Sequence, residues 1–514
     1  MKQRNITYIA LVAAGLSMAA ACSRGFLDVQ PRGTILEENY YKTAAEAYTG
    51  LIAIYDKVPW TSNGYVTKVG VADAASDDHL AGGGGPNDVS QLQVISNYTL
   101  TPATGPQDDI WANSYQGVFR ANKLLQKLPG VTAMDENTKA RFTAEAKLLR
   151  AYFYFDLVRF FKNIPLTLEP IEKNDWYNIP QVTPQEVYAQ IEKDLKEAIA
   201  ETNLPNTINA ASEGGRVTKG TAHALLGKVY LWEQKWTEAI AEFQEVNGAT
   251  PGDVSATYGY KLLANFGDLW KTKFNSESIF EMSFTSTSAG NWDCVSCSEG
   301  NVLGIMVGPR AYKALKTGAP DYVSGWSFLP ITTNLFNAIH NDPRYLYTVA
   351  NLDSLEKNGI ASYEKGYNNT GYFLEKFAGR VSNKSTGGGP SELNFGINMY
   401  EIRLADTYLM EAEARVRNGE SGLAGTRSYA LLNAVRARVG LPAIQATFDN
   451  IFNERRLELA GEGKRWFDLV RTGRAATVLA TRGFVAGKNE ILPIPLLELD
   501  NTKIEQSKEW GGTK

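Results

Sequence analysis

The stretch Leu226-Gly227-Lys228-Val229-Tyr230, continued by Ala239, Phe243 and Pro251, decides the fold. Small and apolar residues recur there at helical spacing, so the segment reads as two packed helices. Gly227 lets the two helices approach closely, Tyr230, Ala239 and Phe243 fill the seam, and Pro251 ends the second helix. Upstream, Phe142 to Phe161 places Ala146, Leu149, Phe153, Leu157 and Phe160 on one helical face, closed by Pro165 and Pro170. Thr183-Pro-Gln-Glu186 has the form of an N-cap with proline in the first turn, predicting a helix that runs through Val187, Ile191, Leu195 and Ala198 and stops near Pro205.

The step from Gly227 through Tyr230, Ala239 and Phe243 to Pro251 follows the tetratricopeptide template throughout. One such repeat cannot bury its own faces, so it needs neighbours. The helices at 142–161 and 184–202 supply one, and Ile402 to Asn418 with Gly425 to Val439 supplies another. Residues 60–110 and 285–400 have a different texture, rich in Gly, Asn, Ser and Asp with scattered aromatics. Gly82 to Gly85 and Gly387 to Gly389 read as flexible loop tips, and Ser278 to Phe284 alternates like a short strand. Long loops that carry Tyr and Trp on a helical scaffold point to function rather than disorder.

The first thirty residues indicate location. Lys2 and Arg4 precede an apolar run, Ile6 to Ala20, which ends in Ala19, Ala20 and Ala21 directly before Cys22. Such a segment is a cleaved secretory signal over 1–21, too short for a spanning helix. A cysteine at the new N-terminus is what lipoprotein processing requires. With roughly 0.8 kcal/mol per buried methylene, two or three acyl chains on Cys22 make a lasting anchor. Removing 1–21 moves the formal charge of the 514-residue chain from −4 to −6. A mildly acidic chain without basic clusters is a poor partner for nucleic acid.

After Cys22 only Cys294 and Cys297 remain, in Asn291-Trp-Asp-Cys-Val-Ser-Cys-Ser298. A CxxC can be half a zinc site, a redox dithiol or a small loop disulfide. Zinc lacks further ligands, since His79, His223 and His340 are far apart in sequence, and a redox site belongs at a strand-to-helix turn rather than in Ser-rich surroundings. Outside the cytoplasm the disulfide is the simplest of the three. No GxSxG, HExxH or phosphate loop is present. The pairs Asp77/Asp78 and Asp108/Asp109 are sequence neighbours, with no need to converge across one glycosidic bond. The expectation is a protein that is not an enzyme and uses no cofactor or catalytic metal, with a structural calcium left open.

Eight strings in order resemble the SusD/RagB family of surface lipoproteins. They are Phe26-Leu-Asp-Val-Gln-Pro31, Glu145 to Arg159 with Ile164-Pro-Leu166, Gly215 to Phe243, Asp342-Pro-Arg344, Arg403 to Ala414, Asn433 to Arg438, Glu454 to Leu469, and Leu492-Pro-Ile-Pro495. Lys162 stands where the family often has Gly, and Glu505 to Trp510 departs from its usual ending. The resemblance implies a mostly α SusD-like fold: tetratricopeptide-like repeats form a scaffold, and a loop-rich region with short strands is inserted into it. One domain then spans 22–514, with a helical part to about 275 containing the repeat 215–251, ligand-binding insertions at about 60–110 and 285–400, and a C-terminal helical part from about 400. It implies a binding protein in the outer membrane, lipid-anchored and facing the exterior, which hands oligosaccharides to a SusC-like TonB-dependent transporter; the RagB-like branch captures peptides instead. The repeat helices would face the transporter and the insertions the ligand. Arg455, Arg456, Glu458, Arg465 and Asp468 read as structural ion pairs.

Sugar recognition needs a flat apolar surface for the C–H face of the ring and planar polar groups for its hydroxyls. Loop aromatics are therefore better candidates than helix-periodic ones. In the second insertion these are Trp292, beside the CxxC, and Tyr322 and Trp326 in Asp321-Tyr-Val-Ser-Gly-Trp326, which resembles a family GW segment. In the first insertion, Asp77, Asp78 and His79 are the polar candidates.

Overall fold

The computed structural model describes residues 41–59, 61–62, 65–171 and 175–512; the signal segment and Cys22 lie outside the described residues. The helices that build the scaffold before the central insertion are α1 (Ala44–Tyr55), α2 (Lys68–Ala74), α3 (Gln107–Lys127), α4 (Glu136–Phe161), α5 (Pro184–Ala200), α6 (Lys219–Trp232) and α7 (Trp236–Asn247). After it come α8 (Leu404–Arg417), α9 (Arg427–Arg438), α10 (Phe448–Glu458) and α11 (Arg465–Arg471). Consecutive members α4 to α9 pack side by side, so three helical hairpins stack into one array, with α3 laid against α4 and α1 against α3.

Local chemistry sets the helix ends. Thr183 caps α5 through its side chain and Glu186 reaches back to the Thr183 N–H, a reciprocal capping box with Pro184 in the first turn. Helix α4 begins six residues before the apolar periodicity does, because Asp135 accepts from the Thr138 N–H and the first turns are polar. Between α6 and α7, a Cβ on Gly227 would stand 2.7 Å from the ring of Phe243. That close approach explains the glycine, and Phe243 and Ala239 are wholly buried in the seam. Trp111 on α3 is likewise packing, edge-on to Phe161 at 5.1 Å.

The insertion between α7 and α8 carries short antiparallel pairs: β1 (Ser278–Met282) with Met399–Arg403, Arg310–Ala314 with Ala361–Glu364, and Val349–Asn351 with Tyr372–Leu374. Every residue of Met399–Arg403 is buried, so this pair forms the floor joining the insertion to the scaffold. The first insertion differs from expectation. Helix α2 is buried along its whole length and packs on α11. The glycine run is packed at its start, while Gly85 stands in open space: a Cβ on Gly82 would meet the Ser327 carbonyl at 2.3 Å, and one on Gly83 would meet the Phe328 ring at 2.5 Å. Gly387 is also pinned, against the Thr287 carbonyl. Bridges from His79 to Ile331 and from Gly82 to Phe328 stitch the two insertions together.

Replacing Gly227 by Val overpacks a buried seam and is expected to destabilise the protein by about 2 kcal/mol. Urea denaturation of G227V, F243A and the double variant checks this. Since Phe243 is the obstacle, the double variant should lose less than the sum of the singles by more than about 0.5 kcal/mol.

Candidate functional site

Trp326 is mounted on a segment whose backbone is held from both sides. Trp326, Ser327 and Phe328 donate their N–H groups to the carbonyls of Ile305, Gly308 and Met306 at 2.8–3.0 Å. From the other side the Leu329 N–H donates to Ala81 and the Gly83 N–H to Ser327. Ser327 and Leu329 adopt φ of +62° and +53°, a region unfavourable for such residues that persists only where the surroundings over-determine it. Phe328, Leu329 and Ile331 are buried and anchor the segment. Gly325 permits its path, because a Cβ there would lie 2.4 Å from the Cα of Gly308.

Trp292 stands on a second fixed turn. Cys294 and Cys297 are joined by a disulfide. The Asn291 side-chain oxygen accepts the N–H groups of Asp293 and Cys294 at 3.0 and 3.3 Å. Asn394 donates to the Gly290 carbonyl at 2.9 Å, tying the base of the turn to the rest of the insertion. Trp292 is 47% exposed, and its ring centroid is 6.1 Å from that of Trp326 with 40° between the planes. On the other flank, Tyr65 from the first insertion meets Trp326 edge-on at 5.6 Å and 60°. Tyr65 and Trp326 are half-buried. The three rings thus form a curved surface assembled from both insertions.

Polar groups border it. Arg310 donates through Nη2 to the Trp326 carbonyl at 2.9 Å and lies 3.8 Å from the Asp88 carboxylate, with the two side chains 30% and 40% exposed. Asp88 also accepts the Gly84 N–H at 2.7 Å, which fixes its position. A guanidinium and a carboxylate that pair only loosely retain donors and acceptors for a further polar partner.

Of the sequence candidates, the structure brings Trp292 and Trp326 together and places the others elsewhere. Asp77 accepts two hydrogen bonds from Arg465 at 2.7 and 3.0 Å and pairs with Arg456 at 3.1 Å. Burial would raise its pKa, but Arg465 and Arg456 hold it below the usual carboxylate value. Asp78 is 1% exposed and accepts from Arg456 at 2.7 Å. His79 is wholly buried and donates through Nδ1 to the Leu329 carbonyl at 2.9 Å; burial lowers its pKa. These three residues clamp the first insertion to the C-terminal helices and to the Trp326 segment, and they offer no face to a ligand. Tyr322 is committed to the structure in the same way. It is 7% exposed, donates its hydroxyl to Glu375, and packs between Tyr312 and the Arg380 guanidinium.

Tyr65, Arg310 and Asp88 were not among the sequence candidates. Tyr65 carried the loop-aromatic signal, whereas Arg310 and Asp88 are brought to the site only by tertiary packing. Among the described residues, no group of three or more His, Cys, Asp or Glu side chains is arranged to hold a metal ion. No helix among them is long and apolar enough to cross a membrane.

The architecture and its aromatic surface define a SusD-like binding fold, and comparison with known proteins agrees. The model described as "SusD family" matches residues 341–491, and that described as "Starch-binding associating with outer membrane" matches residues 26–231. A solved laminarin binding SusD-like protein is 50% identical, with a TM-score of 0.86 over 91% of this chain and 99% of its own. Surface glycan-binding protein A from Bacteroides thetaiotaomicron, solved in complex with laminarihexaose, is 27% identical with a TM-score of 0.78, covering 89% of this chain and 97% of that one. A SusD-like protein of Bacteroides ovatus is 25% identical over 480 residues, 90% of this chain and 81% of the relative. The chain belongs to the SusD/RagB family.

The His79 environment predicts a pH response. Its folded pKa lies below the unfolded value of about 6.5, so below that pH the unfolded chain takes up a proton that the folded protein refuses. Stability should fall as pH is lowered from 7 to 5. Urea midpoints across that range should show a shallower fall in His79→Gln than in the native protein.

Proposed function

We propose that this protein captures a laminarin-type glucan on the Tyr65–Trp326–Trp292 surface and passes it, uncleaved and without a cofactor, to a SusC-like TonB-dependent transporter. The observation that carries this reading is the convergence of three aromatic rings from two insertions on one accessible, rigidly mounted face. The interplanar angles of 60° and 40° make that face curved. A glucan whose successive rings turn along the chain can follow such a curve better than a flat, extended one. The 50% identical relative described as laminarin binding supports the same ligand class. Lipidation at Cys22 would hold the protein at the outer membrane, facing outward, where polymer is met. Because the N–H groups of residues 325–329 are all hydrogen-bonded and a disulfide closes the turn just after Trp292, little ordering remains to oppose binding.

The test is isothermal titration calorimetry of the purified protein with laminarihexaose, cellohexaose, maltohexaose and a mixture of peptides. Saturable heat with laminarihexaose is expected, weakened tenfold or more, about 1.4 kcal/mol, by Trp326→Ala or Trp292→Ala and to a lesser degree by Tyr65→Ala. Heat with peptides alone would move the protein to the RagB-like branch, and silence with every ligand would overturn capture. Gly325→Ala removes no ligand-facing atom yet displaces the Trp326 mount, so it should weaken the same titration while circular dichroism remains that of the native protein.

A further inference from the structure

Beneath the scaffold, where α2, α4, α6, α8, α10 and α11 converge on the strand Met399–Arg403, lies a cavity of about 30 Å³ whose charges do not balance. Six cationic side chains line it: Lys68, Arg159, Lys228, Arg455, Lys464 and Arg471. All are between 2% and 12% exposed. Among the described residues, the carboxylates paired with them number five. Asp156 serves Lys68 and Arg159, while Glu413, Asp406 and Asp468 serve Arg455 and Arg471. The fifth, Glu401, faces three ammonium groups at once: Lys68 at 3.0 Å, Lys228 at 3.3 Å and Lys464 at 3.9 Å.

The shortage falls on Lys228. Lys68 has Asp156 and the Tyr152 hydroxyl besides Glu401, and Lys464 donates to the Glu401 main-chain carbonyl at 2.8 Å. Lys228 has one long contact to a carboxylate already shared. Burial, with Lys464 and Arg159 opposing Glu401 and Asp406, pushes the Lys228 pKa down to about 8. A water molecule would fit the space but would leave the charge uncorrected. A halide, close to water in size, can take the same place and also corrects the charge.

We propose that this cavity binds one small monovalent anion, chloride in ordinary media, held by Lys228 together with the neighbouring cationic groups. The residual exposure of Lys228 and Lys464, 12% and 11%, gives ions a way in from solvent. The anion neutralises the junction between the repeat helix α6 and the C-terminal helices α10 and α11.

Bromide is the probe. Crystals of the protein grown in sodium bromide at pH 6 should show an anomalous peak within hydrogen-bonding reach of the Lys228 ammonium, and crystals at pH 9.5, where Lys228 is neutral, should lose it. In parallel, chloride or bromide should raise the melting midpoint at pH 6 by roughly 1–3 °C over gluconate at equal ionic strength. The Lys228→Met variant, which balances the charges without an anion, should show no difference between the salts. Absence of the bromide peak at pH 6, or equal melting of the native protein in halide and gluconate at that pH, would overturn the proposal. The peak is read on the native protein, so the decision does not depend on the variant folding.

Discussion

Glu458 is completely buried, and the guanidinium groups of Arg344, Arg403 and Arg438 all converge on it. Burial alone would drive its proton uptake, yet the three arginines hold its carboxyl well below the ordinary range. Arg403 continues the knot to Glu277 and Glu462, and Lys376 closes it through Glu462. Buried ion pairs add little net stability against an apolar alternative, but removing one partner strands the rest at about 3–5 kcal/mol. What the knot supplies is register. Asp342-Pro-Arg344, Arg403 at the head of α8, Arg438 at the end of α9 and Glu458 on α10 can meet only if the insertion leaves and rejoins the scaffold at fixed places.

The helical scaffold was legible because its signals are local. Gly227 and Phe243 lie on adjacent helices of one hairpin, and Thr183 caps the helix that follows it directly. The site was legible only in part. Trp292 and Trp326 stand out as aromatics in polar loops, and both are on the surface that the structure builds. Asp77 and Asp78 looked like free polar edges because their partners, Arg465 and Arg456, are 388 and 378 residues away. Tyr322 misled for a similar reason: Glu375 and Arg380, which absorb its hydroxyl and its ring, lie more than fifty residues on. The glycine run reads as a flexible loop tip, whereas Gly82 is a glycine because the Ser327–Phe328 backbone packs against it and Gly83 because the Phe328 ring does. Composition reports what a segment can do locally, and burial of a charge is decided by the rest of the chain.

The two insertions also share their work unequally. The first is chiefly a clamp, with α2 in the core and Asp77, Asp78 and His79 tying it down, and it contributes Tyr65 and Asp88 at the rim. The second carries the two tryptophans, Trp292 beside a disulfide-closed turn and Trp326 on a hydrogen-bonded segment. Scaffold, clamp and platform thus form a continuous chain of contacts from the helix seams to the three aromatic rings.

The mount under Trp326 is made almost wholly of main-chain hydrogen bonds and of the buried neighbours Phe328, Leu329 and Ile331, none of which involves the indole itself. The support and the face it presents are therefore made of different atoms. The side chain at this position can be exchanged without rebuilding its support, so on the proposed reading single substitutions at the rim would change which polymer the same frame takes.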